Sequence, residues 1–482
     1  MTYARAIEFL DGLVNYEKQA KPRTEFKLDN IRRLLALAGN PERKLRNVIL
    51  VAGTKGKGSV CYMLDAALRG CGFTTGMFVS PHVLDVRERI QLDGKLIARR
   101  TFAALVERFR PLVEQQPVSY FELTAAMAFG LFATKKPDYS IVEVGLGGRL
   151  DATNLSNPKV SVITRIGYDH LKVLGNTLTK IAGEKAGIMR RAGPVVIGEQ
   201  EPEALAALRR KAREAGARLV QSPSVVSVGS VRFVATGVHL RARSRLGAGD
   251  LGLPLLGAHQ VENCRTALAV LGVLSRDDYR INFGPVARGL STVSIPARCQ
   301  VIRRSSFIVH RSSFFYIVDS CHNPESGRAL ADVLRDHVPQ LWPANRQFPH
   351  PRPLPEGEGR GEGGQSPRVI LIYGSLSGKL VAETVAPLVP FVHQAVLVRP
   401  DSPRAMPLAE LKRVFIRLRI PFVAADSVRA ALRLAQAQAQ APALRTATCK
   451  LQTPPFPIVV AGSFYLAGEA IRLLGPSRAI SA

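Results

Sequence analysis

Seven consecutive residues, Gly53-Thr54-Lys55-Gly56-Lys57-Gly58-Ser59, separate an apolar stretch from a helical pattern, and their types suit a nucleoside triphosphate. Small residues let successive backbone N–H groups turn inward on phosphate oxygens, and the N-terminus of the following helix adds partial positive charge. Lys57 is placed to reach the terminal phosphates and Ser59 to ligate magnesium. The spacing departs from the common Gly-x4-Gly-Lys-Ser/Thr form, because Gly58 stands between Lys57 and Ser59.

Other polar residues sit where apolar stretches end. Glu143 closes the run from Tyr139, where burying a carboxylate for structure alone is costly. It reads as a metal or water-positioning ligand, or as the ion-pair partner of Arg149. His170 follows another apolar run in Gly167-Tyr168-Asp169-His170 and reads as a metal ligand or a plain surface residue. Lys185, in Gly183-Glu184-Lys185-Ala186-Gly187, needs no role on pattern alone. Farther along, Asp319-Ser320-Cys321-His322-Asn323-Pro324 follows a β-branched run. There Asp319 is a candidate for holding a ribose and His322 for touching phosphate or a reacting group, while Asn323-Pro324 also suits a helix start.

The elements that must position these residues alternate. Two helices fill the first 50 residues, the second carrying Ile31, Leu34, Leu35 and Ala38 before the stop at Gly39-Asn40-Pro41. Strands are expected at 47–52, 73–79, 139–144, 160–163 and 195–197, with helices at 59–69, 101–113, 121–133 and 203–215. Strand, glycine loop, helix is the unit of a parallel α/β sheet, whose carboxyl edge binds ligands. Residues 225–256 read as a small antiparallel excursion, and a helix after Gln260 closes a first domain at 1–295. A second α/β domain, 296–482, is expected to have strands at 316–319, 369–373, 394–398 and 458–461 and helices at 326–337, 408–417 and 427–437. Within it, 345–367 is rich in Pro, Gly, Glu and Arg and reads as a disordered insertion. The repeated Arg-Ser-Ser-Phe at 304–307 and 311–314 carries no assigned chemistry.

The 482 residues include 66 Lys and Arg against 38 Asp and Glu, a formal charge of +28 that suits an anionic partner without naming it. The basic residues are scattered and lack the aromatic interleaving that stacks bases, so no nucleic acid partner is expected. Cys61, Cys71, Cys264, Cys299, Cys321 and Cys449 show no metal-ligand spacing, which implies a reducing compartment. Met1–Leu13 carries Arg5, Glu8 and Asp11 and is no signal peptide, and apolar runs such as 123–133 are shorter than the roughly 20 residues of a membrane span. A cytoplasmic location without membrane contact is expected.

In order, these motifs resemble the Mur-ligase-type ATP-dependent amide ligases, and among them the folylpolyglutamate synthase/dihydrofolate synthase branch. Gly53 to Ser59 resembles the family's phosphate loop, and Ser80-Pro81-His82 with Arg87 to Ile90 its substrate-side loop. Glu143 through Gly145-Leu146-Gly147-Gly148-Arg149-Leu150-Asp151-Ala152-Thr153-Asn154 is similar to the folate-branch signature. Ile166 to His170, Leu174-Gly175 and Glu184 to Gly187 resemble the metal and lysine region. Gly257, His259-Gln260 and Asn263 are similar to the adenine-side motif, and Gly462-Ser463 through Gly468-Glu469 to the terminal one.

The resemblance implies an α/β protein with an N-terminal P-loop ATPase domain of Mur-ligase type, a smaller Rossmann-like C-terminal domain and an active site in the cleft between them. ATP and two magnesium ions are the implied cofactors. Ser59, Glu143 and His170 become metal ligands, and Lys185 a lysine carbamylated in many members. Gly53, Thr54, Gly56, Lys57, Gly58 and Ser59 would hold phosphates, Asn263 and Arg298 the base or phosphates, and Asp319 the ribose. Lys57, His170, Lys185 and His322 are the catalytic candidates; Ser80, Pro81, His82 and Arg87 would meet the acid substrate. Implied partners are dihydropteroate or tetrahydrofolate and L-glutamate, with a monomer expected. The competing readings are a cell-wall amino-acid ligase, a nucleotide-dependent nucleic-acid binder and a catalytically weakened nucleotide-binding homologue. Departures cluster in the second domain. Pro296-Ala297-Arg298-Cys299-Gln300 stands where the family usually has Pro-Gly-Arg followed by Glu, Ser320-Cys321 stands where it has Gly-Ala, and Lys379-Leu380 where it has Lys-Asp.

Overall fold

The structure is a computed structural model that describes residues 1–16, 27–305, 313–341, 368–440 and 456–475. The expected insertion at 345–367, Cys449 and part of the repeated Arg-Ser-Ser-Phe segment lie outside the described residues. The chain divides into two compact units. The first holds Met1–Val231, Leu240–Leu253 and His259–Ser294; the second holds Arg232–His239, Pro254–Ala258 and the chain from Ile295 onward.

The first unit is built on an eight-stranded sheet: β1 (Val48–Ala52), β2 (Thr75–Phe78), β3 (Ile90–Leu92), β4 (Lys95–Leu96), β5 (Tyr139–Glu143), β6 (Pro158–Ile163), β7 (Pro194–Ile197) and β8 (Arg218–Gln221). Their order is β4-β3-β2-β5-β1-β6-β7-β8. From β2 to β8 neighbouring strands run parallel, so both faces are covered and β1 reads as an unbroken apolar run, Val-Ile-Leu-Val-Ala, buried at every position. The sheet was expected to be parallel throughout, but β2, β3 and β4 pair antiparallel. A three-residue and a two-residue strand carry too little alternation to stand out in the sequence.

β9 (Ser227–Val234), β10 (Gly237–Ser244) and β11 (Gly247–Leu253) form a separate sheet with β10 in the middle, at the place of the expected antiparallel excursion. Two-residue connections turn each strand directly into the next. Along β10, buried Val238, Leu240 and Ala242 alternate with exposed His239, Arg241 and Arg243.

The second unit contains β12 (Gln300–Ser305), β13 (Ser313–Val318), β14 (Val369–Tyr373), β15 (Val392–Val398), β16 (Phe422–Ala425) and β17 (Ile458–Ala461), ordered β12-β13-β17-β14-β15-β16. Only the β12–β13 pair is antiparallel. Helices Pro324–Leu341, Leu408–Arg417, Val428–Gln440 and Phe464–Leu474 accompany the sheet. His337 explains why 232–239 and 254–258 belong to this unit. Its buried ring accepts the Gly257 N–H at Nε2 (2.9 Å) and lies 2.9 Å from the Val234 carbonyl at Nδ1. Accepting at Nε2 leaves Nδ1 as the donor, and burial lowers the tendency of the ring to protonate.

Helix Lys57–Gly70, which follows the phosphate loop, is held close to helix Phe283–Leu290 by two glycines. A Cβ on Gly289 would fall 2.2 Å from the Ala66 carbonyl oxygen, and one on Gly70 would fall 2.5 Å from that of Pro285. The neighbours are backbone and have no rotamer to yield. Gly289→Ala is therefore expected to destabilise the protein by about 1–3 kcal/mol, the usual range for overpacking, as a lower urea midpoint with unchanged slope.

Candidate active site

β1 lies between β5 and β6, so the loops that leave these three strands emerge side by side at one sheet edge. Val51 is level with Glu143, and Ala52 with Ile163. Gly53 adopts φ 148°, and a Cβ there would sit 1.8 Å from Thr164 Oγ1, so only glycine fits the first position of the loop. The amides of Thr54 and Lys55 both donate to the Arg165 carbonyl (3.0 and 3.1 Å), and the Thr54 hydroxyl donates to Gly167 O (3.1 Å). The expectation that every loop amide faces phosphate is thus corrected: these groups fasten the loop to the segment after β6. The amides available for an anion are those of the first turn of helix Lys57–Gly70, which have no partner within the helix. Gly56 caps that helix at φ 85°, and a Cβ there would fall 2.1 Å from Asn263 Oδ1. The structure therefore brings Asn263 against the phosphate loop, with its Nδ2 donating to the buried Gln260 (3.0 Å).

Lys185 is 3% exposed and donates from Nζ to the Gly53 carbonyl at 2.7 Å. Burial, reinforced by repulsion from Lys57, lowers its pKa from 10.5 to about 7, against the pull of Asp169 and Asp151. Its helix, Leu178–Ala186, was not anticipated, but the signal was present. Leu178, Ile181 and Ala182 are buried, and Lys185 continues that face with helical spacing. The helix packs on the glycine loop because side chains are missing at the contact. A Cβ on Gly148 would lie 2.9 Å from Glu184 O, and one on Gly187 2.4 Å from Arg149 Cβ.

Glu143 is 3% exposed, yet Arg149 is not its ion-pair partner. Arg149 pairs with Glu184 (3.1 Å), which removes the structural alternative for Glu143. Glu143 Oε2 accepts the Ser80 N–H (2.9 Å) and would lie 3.7 Å from a Cβ on Gly58, beside the start of the phosphate helix. Lys57, His170 and Lys185 line one cleft with Gly53, Thr54 and residues 144–147. His170 is in the left-handed region at φ 50°, with its amide on its neighbour Asp169 (2.9 Å), and Asp169 in turn meets Lys55 at 3.6 Å.

The rest of the substrate-side motif is less uniform. Arg87 is held by both oxygens of Asp85 (3.0 and 2.8 Å) and by the Ile97 carbonyl (3.2 Å), so its guanidinium has a structural task rather than the expected substrate contact. Pro81 follows Ser80 through a cis peptide, and His82 meets the buried Arg89 instead.

In the second unit, Asp319 accepts the Cys321 amide at Oδ1 (2.7 Å) and both the amide and the thiol of Cys299 at Oδ2 (2.8 and 3.3 Å). The carboxylate expected to hold a ribose thus ties two loops together. Arg298 donates to the Ser320 hydroxyl and lies over the Phe464 ring, which His322 also approaches (5.1 and 5.6 Å to the ring centre). His322 Nδ1 is 2.9 Å from the Ser320 carbonyl, and Asn323 accepts the Ser326 amide (2.9 Å) in the manner of a helix cap.

The Mur ligase middle domain family matches residues 51–271. The dihydrofolate synthase/folylpolyglutamate synthase of Mycobacterium tuberculosis is 35% identical over 341 residues, 66% of this chain and 68% of that one. The chain belongs to the folylpolyglutamate synthase/dihydrofolate synthase family of Mur ligases. A probable bifunctional folylpolyglutamate synthase/dihydropteroate synthase of Haloferax volcanii is 31% identical over 482 residues, 98% of this chain, which spans 50% of that relative's length. The solved Mycobacterium tuberculosis folylpolyglutamate synthase complexed with ADP superposes with a TM-score of 0.81 at 29% identity, covering 98% of each chain.

Within this family fold, sequence reasoning passed over three supporting carboxylates. Asp151 accepts the amides of Leu146 (2.9 Å) and Thr153 (3.0 Å) and shapes the glycine loop; burial outweighs these bonds and raises its pKa. Its place two residues before Thr153 is an Asx-turn signal. Asp169 braces Lys55, and Glu88 gathers the amides after His82.

Lys185 also makes stability depend on pH. Between about pH 7 and 10.5 the unfolded chain binds a proton on this lysine that the folded protein does not, so stability rises with pH across that window. In carbon-dioxide-free buffer, Lys185→Met is therefore expected to be more stable than wild type near pH 7, and the gap in urea midpoint should narrow towards pH 10. A pH-independent gap would contradict the lowered pKa.

Proposed function

We propose that this chain is an ATP-dependent amide ligase joining L-glutamate to dihydropteroate, to the γ-carboxylate of a reduced folate, or to both. One observation carries the reading beyond nucleotide binding. Glu143, beside the first turn of the phosphate helix, also holds the Ser80 amide, so the loop resembling the acid-substrate side is bonded to the phosphate site. The relatives' names and the ADP complex of the solved neighbour support the substrates and the nucleotide.

A carboxylate is a poor acyl donor, because its oxygen would have to leave as oxide. In the proposed reaction a carboxylate oxygen of the pterin or folate acid attacks the terminal phosphorus of ATP. The bond to the β-phosphate oxygen breaks and ADP leaves. The amine of L-glutamate then attacks the acyl phosphate, phosphate departs with the carbonyl's former oxygen, and the nitrogen releases a proton to form the amide. Lys57 and the first-turn amides would meet the negative charge of the phosphoryl group. Arg298 and His322 are proposed to contact the nucleotide from the second domain, 296–482, and Asn263 from the first, 1–295.

Among the described residues, no three His, Cys, Asp or Glu side chains gather as a metal-binding group. Magnesium fits this sparse set, since it keeps several waters and takes few protein oxygens. Ser59 and Glu143 would supply oxygens and His170 a nitrogen; the metal, when bound, neutralises phosphate charge. Lys185, with a pKa of about 7, is neutral in half of the molecules at that pH and so has the free amine that carbamylation needs. A cytoplasmic setting accords with the unpaired thiols of Cys61, Cys71, Cys264, Cys299 and Cys321.

The test is L-glutamate-dependent ADP release with ATP and magnesium, comparing 7,8-dihydropteroate with tetrahydrofolate and identifying products by mass. Lys57→Ala and Glu143→Ala are each expected to lower turnover on the order of 100-fold or more while the unfolding curve stays that of a folded protein. ATP binding without glutamate-dependent release from either acid would instead favour a nucleotide-binding homologue without ligase activity.

A further inference from the structure

The segment that follows β2 is fastened by side chains at several points. Glu143 holds the Ser80 amide, and the buried Glu88 carboxylate accepts the amides of Val83, Leu84 and Asp85 at 2.7, 2.8 and 3.0 Å. Between these anchors stands His82, whose Nδ1 accepts the Arg89 Nε–H at 2.9 Å. Arg89 is 1% exposed, and its guanidinium lies 5.2 Å from the centre of the Tyr120 ring. Burying so large a cation is expensive, and one of its few fixed donors is spent on an imidazole.

A guanidinium only donates. His82 Nδ1 must therefore be the accepting nitrogen, and in a neutral ring the proton resides on Nε2. A proton on Nδ1 would point directly at the Arg89 N–H. The ring itself is partly exposed, while the groups that orient it are buried.

We propose that Arg89 is a positioning residue that fixes His82 as its Nε2–H tautomer, so that Nε2–H is a standing hydrogen-bond donor to a carboxylate oxygen of the acid substrate. The proposal rests on the reading of this loop as the acid-substrate side. Pinning the tautomer in advance means that binding need not reorganise the ring, and an acid without an acceptor at that point leaves a buried donor unpaired.

Histidine-selective 15N labelling tests the tautomer directly, with the His82 signal assigned by its loss in His82→Gln. In wild type the two-bond spectrum should show an unprotonated Nδ1 and a protonated Nε2; a proton on Nδ1 overturns the proposal. Addition of tetrahydrofolate or dihydropteroate with a non-hydrolysable ATP analogue should shift the Nε2–H signal. An unmoved signal at saturating acid, with binding confirmed by calorimetry, overturns the substrate contact.

In kinetics, Arg89→Met is expected to raise KM for the acid about tenfold, the equivalent of one hydrogen bond, while KM for ATP and kcat stay within about twofold. Arg89→Lys, which keeps a donor, should recover part of the loss. Equal effects on both substrates, or no recovery by lysine, would reduce Arg89 to a packing residue. If Arg89→Met does not fold, the wild-type spectrum decides. Absence of glutamate-dependent ADP release by wild type would remove the ligase reading, whereas the tautomer would still be read from the spectrum.

Discussion

A buried lysine bonded to the first carbonyl of the phosphate loop is the contact on which the rest of the first unit depends. The Lys185 amine reaches Gly53 O at 2.7 Å only because its helix lies directly on the glycine loop after β5. Gly148 and Gly187 make that approach possible, since a Cβ at either would collide with the opposing chain. The same contact places two lysines of the cleft near one another, and their repulsion adds to burial in keeping Lys185 easily deprotonated. Backbone spacing thus sets the protonation chemistry of the site. One methyl group at either glycine would alter that chemistry without touching a polar residue.

Much of this was legible in the sequence where local types are decisive. Gly53 to Ser59 could only be a tight turn into a helix, and the all-apolar Val48–Ala52 could only be a strand covered on both faces. Glu143 announced itself as a carboxylate ending an apolar run. Lys185 did not, because a single lysine among Gly, Glu and Ala looks like surface until the apolar face it continues is counted along the helix. Thr54 and Arg87 have the right types for ligand contact, yet nearby carbonyls and Asp85 claim their polar groups. Such competition depends on which segments meet in space, and no local pattern records it.

The departures in the second unit illustrate the same point from the other side. In the sequence, Ala297, Cys299, Ser320 and Cys321 read as scattered losses from a motif. In space they are one assembly. The Ser320 amide donates to the Ala297 carbonyl (3.0 Å), the Ser320 hydroxyl accepts from Arg298, and Asp319 binds the amides of both cysteines. Ala297 and Cys299 flank Arg298 with φ values of 52° and 49°, a conformation that is costly outside glycine. The hydrogen bonds to Asp319 and Ser320 offset that cost and hold the turn. The replaced residues therefore support one another, and Arg298 keeps a defined position over Phe464.

The large sheet of the first unit ends in very short strands. β4 is only Lys95–Leu96, with both residues exposed, and β8 at the other side is the four-residue Arg218–Gln221. An edge two residues long, bearing a charge, gives a foreign strand almost no ladder to extend. The antiparallel β3–β4 turn thus works as a selvedge: it finishes the woven sheet so that crowded copies have little unfinished backbone on which to knit into aggregates.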